Sequence, residues 1–162
     1  MNYPVLSLSP PYGTLIAAGR KWIESRSWAT TYRGPLLIHQ TAAPGPKGTT
    51  EAALWDLCLS DSFRKALPQA SPARLPRGKI IALVTLHDCR PTDEEAALHK
   101  RGWSGYVGDR LTYWDLTETE RAFGNYSAGR WAWLLADVRP LPESIAARGM
   151  PGLWRWEGDL GL

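Results

Sequence analysis

The longest apolar run of the chain lies at residues 78–89, which read Gly-Lys-Ile-Ile-Ala-Leu-Val-Thr-Leu-His-Asp-Cys. A strand with one face in water alternates apolar and polar side chains, whereas a strand covered on both faces is apolar almost throughout. The run therefore predicts a central strand with protein packed on each side of it. The remaining segments have to supply those covering layers and the neighbouring strands.

Shorter segments have the composition of further strands, and Pro- and Gly-rich loops separate them. Four such strands are predicted, at residues 3–8, 35–41, 130–139 and 152–156. Pro140 and Pro142 are expected to end the third of these, because proline lacks the N–H that a strand ladder uses. Together with the central strand, the expected total is five or six strands.

Two or three helices are expected between the strands. Ser9 and Gly19 have the residue types of an N-cap and a C-terminal stop for a first helix. Helical periodicity predicts one continuous helix at residues 51–67, and acidic residues open a short helix at 92–99. Strands joined by long, irregular crossings in so short a chain favour an α+β fold, a small mixed β-barrel with flanking helices.

The composition is that of a globular protein, with 44% hydrophobic and 22% charged residues among 162. This length predicts a single domain over residues 1–162 with a substantial core. Nineteen Lys and Arg against 16 Asp and Glu leave a formal charge of +3, a mild bias that is compatible with a polyanionic partner. Nine tryptophans are unusual, and because each indole N–H needs an acceptor, we expect some of them at a binding cleft.

The cysteines and the chain start indicate a compartment. Cys58 and Cys89 are the only cysteines and show no metal-ligand spacing, so we expect two reduced, buried thiols. Residues 1–9 lack the basic head of a signal peptide, and no apolar run reaches the ~20 residues of a membrane span. The expectation is a cytoplasmic protein without a membrane contact, a metal or a cofactor.

A second constraint on function lies at residues 19–34, where cations alternate with aromatic side chains between two glycines. If this segment is extended, Glu24 and Arg26 share one face with Trp22 and Trp28, because successive side chains of a strand point to opposite sides. Such a surface suits a flat, hydrogen-bonding, partly anionic ligand. An internal ion pair of Glu24 with Arg26 is an equally good reading of the same spacing.

Residues 126–130 are the other candidate for ligand contact. Small residues between Tyr126 and Arg130 permit close backbone approach, and free N–H groups there could bind a phosphate. The same residues also fit a plain turn into the strand that follows. The carboxylate of Asp88, at the end of the central strand, is a further candidate for the same cleft.

The segment Gly-Arg-Lys-Trp-Ile-Glu-Ser-Arg at residues 19–26 matches the Gly-x-Lys-x-x-Glu-x-Arg signature of ASCH domains, which are members of the PUA-like superfamily. The strand at 32–39 and the segment Phe-Gly-Asn-Tyr-Ser-Ala-Gly-Arg-Trp-Ala-Trp at 123–133 also resemble bacterial and phage ASCH proteins. The resemblance covers nearly the whole chain. It implies a PUA-like β-barrel with a cleft lined by the signature segment.

The resemblance implies two kinds of activity. Related domains of the superfamily bind RNA or read modified bases, whereas some ASCH proteins are small ribonucleases or amidohydrolases that act on an acylated cytidine. The amidohydrolase type is built around the signature lysine and carries a hydroxyl residue where this chain has Glu24.

We therefore expect an RNA- or nucleotide-binding module that recognises single-stranded RNA or a modified base in a cationic, aromatic cleft. In this hypothesis Lys21 and Arg130 hold phosphate, Glu24 and Arg26 read polar base edges, and Trp28 is a stacking wall. The expected nucleic-acid-binding set is Lys21, Glu24, Arg26, Trp28, Tyr126, Ser127 and Arg130.

Two alternatives stay open. The first is a small hydrolase, either a ribonuclease or an N-acylcytidine amidohydrolase, in which Lys21 is the base, Glu24 orients it or acts as the acid, and Ser127 stabilises developing charge. The second is a protein-interaction module that uses the aromatic residues of 102–123, Trp114 among them.

Overall fold

The computed structural model describes residues 1–92 and 116–162. The strands of these residues are β1 (Asn2–Leu8), β2 (Ile23–Arg26), β3 (Gly34–Gln40), β4 (Lys79–Pro91), β5 (Trp131–Ala146) and β6 (Leu153–Glu157). Their helices are α1 (Tyr12–Ala17), α2 (Glu51–Leu59), α3 (Asp61–Ala66) and α4 (Glu118–Ala122), with a 3-10 turn at Pro72–Arg74. The helix predicted at 92–99 and most of the aromatic segment 102–123, including Trp114, lie outside the described residues.

The strands form one mixed sheet in the order β2-β5-β4-β3-β1-β6. Strand β1 runs parallel to β3 and antiparallel to β6, and β2 runs antiparallel to β5. The predicted α+β class is confirmed. The expected closed barrel is not found in the described residues, because β2 and β6 are the two edges of the sheet and a barrel would need them to pair with each other.

The prediction of a central strand covered on both faces is confirmed for β4. Its consecutive residues Ile80, Ile81 and Ala82 are all buried, although adjacent side chains of a strand point to opposite faces. β4 also lies inside the sheet, between β3 and β5.

Two element boundaries differ from the prediction. The segment 51–67 is not one helix, because Ser60 has an extended backbone with ψ 151° and separates α2 from α3. Its hydroxyl donates to the carbonyl of Leu57 at 2.7 Å, so it ends the first helix as a short polar residue commonly does. The short helix α4, at Glu118–Ala122, is also present where no helix was predicted.

Strand β5 does not stop at Pro140 and Pro142 but continues to Ala146. Its pairing with β2 ends at Leu134, so both prolines lie beyond the part of β5 that needs N–H donors on that side. A proline is tolerated where a strand has no ladder partner on its N–H side.

No helix in the described residues is long and apolar enough to span a membrane.

The chain divides into two compact units. The first comprises Met1–Arg20, Pro35–Thr85 and Asp137–Leu162, and the second comprises Lys21–Gly34 and Leu86–Ala136. The single domain over residues 1–162 stays a prediction. The core of the first unit is an apolar cluster of Val5, Leu37, Ile80, Leu141, Trp154 and Leu160.

Gly19, the first residue of the signature segment, ends helix α1 as predicted. Its φ of +66° is in the left-handed region that favours glycine, and its N–H donates to the carbonyl of Ile16. The N–H of Arg20 donates to the carbonyl of Leu15, so the two bonds together form a Schellman motif. Glycine is therefore required here by the backbone, and the chain leaves the helix just before Lys21.

The buried residue His39 is the centre of a polar network in the first unit. Its Nε2 lies 3.0 Å from the carbonyl of Ala147, which can only accept, so this nitrogen carries the proton. Nδ1 then accepts from the hydroxyl of Ser7 at 3.1 Å, and that hydroxyl oxygen accepts from the indole N–H of Trp154 at 2.9 Å. Burial lowers the pKa of His39 below its ordinary value, and the bond to Ala147 offsets this only in part.

The lowered pKa of His39 predicts a stability that falls on acidification. Because the unfolded chain binds a proton on this residue at a higher pH than the folded chain, the stabilisation is complete above pH ~6.5 and is lost as the pH falls below that value. Urea unfolding at pH 7.5 and 5.5 measures the effect. We expect His39→Gln to reduce the pH dependence and substitution of the exposed His87 to leave it unchanged; equal pH dependence in all three proteins would contradict the prediction.

Candidate functional site

The signature segment continues into β2, which pairs with the start of β5. The register places Glu24 opposite Trp133 and Arg26 opposite Trp131. Directly paired residues lie on the same face of a sheet, so these four side chains share one surface of the second unit. The predicted shared face of Glu24 and Arg26 is thus confirmed.

Lys21 lies just before β2 and is completely buried, with 0% of its surface exposed. Its ammonium donates to the carbonyl of Ile23 and lies 3.7 Å from Oε2 of Glu24. A buried ammonium needs such partners, because removing it from water is costly. Lys21 is thereby engaged inside the protein rather than presented at its surface.

Glu24 receives a second cation on its other oxygen. Nη1 of Arg26 lies 3.6 Å from Oε1 of Glu24. The carboxylate is 8% exposed, whereas a quarter of the Arg26 side chain, 26%, is in contact with solvent. Glu24 therefore lies between an inner cation and an outer one.

Arg130 belongs to the same cluster. Its guanidinium donates from Nη2 to the carbonyl of Ser25 at 2.9 Å, which ties the start of β5 to β2. Burial lowers the pKa of Arg130, while the charge of Glu24 raises it and that of Arg26 lowers it. The three side chains are therefore close enough for their charges to interact.

The aromatic part of the site is built from Trp28 and Trp133, whose rings meet edge to face with centroids 4.7 Å apart. The indole N–H of Trp133 donates to the carbonyl of Trp28 at 3.2 Å, and the guanidinium of Arg26 lies 5.8 Å from the Trp28 ring centroid. Trp28 is therefore half-buried and packed on Trp133. Trp22 is 46% exposed, which makes its side chain more accessible than that of Trp28.

Glu120 is a member of the site that sequence reasoning missed. It comes from α4, is 6% exposed, and its Oε1 accepts from the backbone N–H of Trp22 at 2.5 Å. Burial raises the pKa of Glu120, and the Trp22 N–H and the charge of Lys21 act in the opposite direction. The signal for its helix was present as Thr117-Glu118-Thr119-Glu120, which has the spacing of a capping box, and Thr117 does cap α4.

Tyr126 brings a phenol to the two carboxylates. Burial raises its pKa strongly, and the charges of Glu120 and Glu24 raise it further. Gly124 makes room for this ring, because a Cβ atom there would lie 2.5 Å from Cε2 of Tyr126. The N–H of Asn125 donates to the Ser25 hydroxyl at 3.2 Å and anchors the turn to β2.

The turn that contains Ser127 differs from a phosphate-binding loop because one of its backbone N–H groups already has an acceptor. The N–H of Ser127 donates to the side-chain oxygen of Asn125 at 3.1 Å, so this donor is already used. The Ser127 side chain is exposed. Of the predicted residues, the structure therefore brings together Lys21, Glu24, Arg26, Tyr126 and Arg130, with Trp28 against Arg26 and Ser127 at the outside.

Asp88, the other predicted carboxylate, is held by its own neighbours. It accepts from Arg90 at 2.6 Å, from the Cys89 N–H at 2.8 Å and from Arg33 at 3.0 Å. Burial raises its pKa, but these hydrogen bonds outweigh that effect and lower it overall. The Asp88 carboxylate therefore stabilises this corner of the second unit through Arg33, Cys89 and Arg90.

Three buried polar atoms of the site have no hydrogen-bond partner in the part of the chain that the structure describes. They are Oε2 of Glu120, the hydroxyl of Tyr126 and Nε of Arg130. Buried polar groups in folded proteins are nearly always paired, so such a group indicates a missing partner. Over residues 1–92 and 116–162, no group of three or more His, Cys, Asp or Glu side chains could hold a metal ion, and Cys58 and Cys89 are buried and form no disulfide.

Comparison with known proteins identifies the family. The family model of the ASCH domain matches residues 6–142, a range that includes both the signature segment and α4. Human activating signal cointegrator 1 is 33% identical over 87 residues, which cover 52% of this chain and 14% of that protein. The chain thus matches only a small part of that longer relative. On the family match, which extends over most of its length, the chain belongs to the ASCH domain family.

Proposed function

We propose that the second unit binds single-stranded RNA or a nucleotide at the surface of the Lys21, Glu24, Arg26 and Arg130 cluster. The observation that carries the proposal is the layering of charge. Both carboxylates, Glu24 and Glu120, are buried, whereas both arginines are partly exposed. The layer that a ligand meets first is therefore cationic, and an RNA backbone is the polyanion that such a layer attracts.

The burial of Lys21 changes the roles that we propose for individual residues. Arg26 is the first group for phosphate, because 26% of its side chain is exposed, and Arg130, which is partly exposed, is the second. Lys21 acts from within by neutralising Glu24. Trp22 and Trp28 flank the cluster in sequence, and an exposed indole such as that of Trp22 is suited to stack a base.

Family membership supports the RNA hypothesis, since related domains of the superfamily bind RNA. Cys58 and Cys89 form no disulfide in the described residues, which fits the cytoplasmic location that we propose together with RNA binding.

A small hydrolase is the second candidate, because a buried amine lies beside two carboxylates. In this reading Lys21 is the base and Glu24 or Glu120 the acid. The contacts favour binding, since the Lys21 ammonium is engaged by Ile23 and Glu24.

Substitution of Arg26 tests the RNA hypothesis. We expect Arg26→Gln to weaken binding of a single-stranded RNA oligonucleotide and to reduce the slope of log K against log salt by about 0.7, the value for one lost phosphate contact. Fluorescence anisotropy over a salt titration measures both. Arg64→Gln, at an exposed position of α3, is the matched control and should behave like the parent protein; identical slopes for the two variants would refute the phosphate role.

The buried lysine predicts a stability effect that is separate from binding. Lys21→Ala leaves Glu24 buried with Arg26 as its remaining cation, so we expect it to lower the free energy of unfolding by about 3 kcal/mol. Exposed Lys65→Ala should change it by less than about 0.5 kcal/mol. Urea unfolding compares the two, and equal values would show that the Lys21 contacts add little stability.

The hydrolase alternative predicts product formation. We expect no turnover when the protein is incubated with N-acylcytidine or single-stranded RNA, with and without magnesium. Product that forms with the parent protein and disappears with Glu24→Gln, while RNA binding persists, would establish an enzyme instead. Chromatography of the nucleosides and gel analysis of the RNA detect the two products.

A further inference from the structure

Glu120 has one oxygen in use and one without a partner. Oε1 accepts the N–H of Trp22 at 2.5 Å, whereas Oε2 is buried and forms no well-placed hydrogen bond within the described ranges, although the Tyr126 hydroxyl and the Ile23 N–H approach the carboxylate. Leaving a buried acceptor unpaired costs free energy that a fold normally avoids. A ligand that offers an N–H to Oε2 would remove this cost.

Glu24 is less suited to the same task. Each of its oxygens already lies against a cation, Oε2 against Lys21 at 3.7 Å and Oε1 against Arg26 at 3.6 Å. A base amino group would have to compete with two full charges for this carboxylate. Of the two buried carboxylates, Glu120 is therefore the one with an unsatisfied oxygen.

Tyr126 supplies the complementary group. Its hydroxyl is buried and forms no well-placed hydrogen bond in the described chain, yet it is close enough to Glu120 to interact with that carboxylate, so a ligand could bridge the two groups. A phenol can donate as well as accept. Since Gly124 leaves space for the ring and no larger residue would, the position of the hydroxyl is fixed by packing.

We propose that Glu120 and Tyr126 select the base, and that the site prefers a nucleobase whose Watson–Crick edge carries an exocyclic amino group next to an unprotonated ring nitrogen, which is cytosine or adenine. The amino group donates to Oε2 of Glu120 and the ring nitrogen accepts from the Tyr126 hydroxyl. Uracil presents a carbonyl where the amino group would be, which places two acceptors against each other. This inference rests on the proposed RNA binding and names the class of base that the same site takes.

Base preference can be measured with three short oligonucleotides of cytidine, adenosine or uridine at pH 7.5. We expect the parent protein to bind the cytidine and adenosine oligomers about tenfold or more tightly than the uridine oligomer, as one good base contact would give. Glu120→Gln keeps an oxygen for the Trp22 N–H but replaces the unsatisfied oxygen by a donor. It should abolish or reverse the preference.

Two further variants separate base selection from a structural effect. Glu118→Gln changes an exposed carboxylate of the same helix and should keep the parent preference. Tyr126→Phe keeps the ring against Gly124 and removes only the hydroxyl, so it should weaken cytidine and adenosine oligomers more than uridine. Unfolding curves of all variants report whether the fold is retained.

The outcomes distinguish this inference from the proposed function. If the parent protein binds the three oligomers equally, or if Glu120→Gln leaves the ratio unchanged, Glu120 and Tyr126 hold only a bound water and the inference fails. RNA binding with the salt dependence expected for Arg26 would then still stand. If no oligomer binds at any salt concentration, both proposals fail.

Discussion

A buried ammonium cannot be left without counter-charge, and Lys21 imposes that requirement on the second unit. Its partners are the carbonyl of Ile23 and the carboxylate of Glu24, both within β2 or at its start. Glu24 in turn draws Arg26 to its other oxygen, and the charges of Arg26 and Glu24 act on Arg130. The order of charges from inside to outside thus follows from one lysine placed where water does not reach.

This order explains why the net charge of the chain says little about the site. A formal charge of +3 on 162 residues is modest. The distribution matters more, because buried carboxylates are hidden from a ligand and partly exposed guanidiniums are not. Interactions at the exposed layer are also the ones that salt screens, so binding through them has to depend on ionic strength.

Much of this arrangement was predictable from sequence, and the exceptions have identifiable reasons. Alternation predicted the shared face of Glu24 and Arg26, and the apolar run predicted β4, because both depend on local periodicity. The break at Ser60 and the passage of β5 through Pro140 depend on which hydrogen bonds neighbouring segments require. The role of Glu120 could not be predicted, since it reaches the N–H of Trp22 across 98 positions of the chain. Closure of the sheet could not be predicted either, because it depends on whether the edge strands β2 and β6 pair, which no local sequence pattern shows.

Within the signature motif, Gly19 has a backbone role that differs from the electrostatic role of Lys21. The glycine is required because its φ of +66° ends α1. Chains that share this first residue of the motif therefore share the turn. The residues that we propose to select the base, Glu120 and Tyr126, lie about a hundred residues later. Proteins grouped by the motif alone therefore share this turn and the Lys21, Glu24 and Arg26 charges, and under the proposed base selection their ligands differ where the residue at position 120 differs.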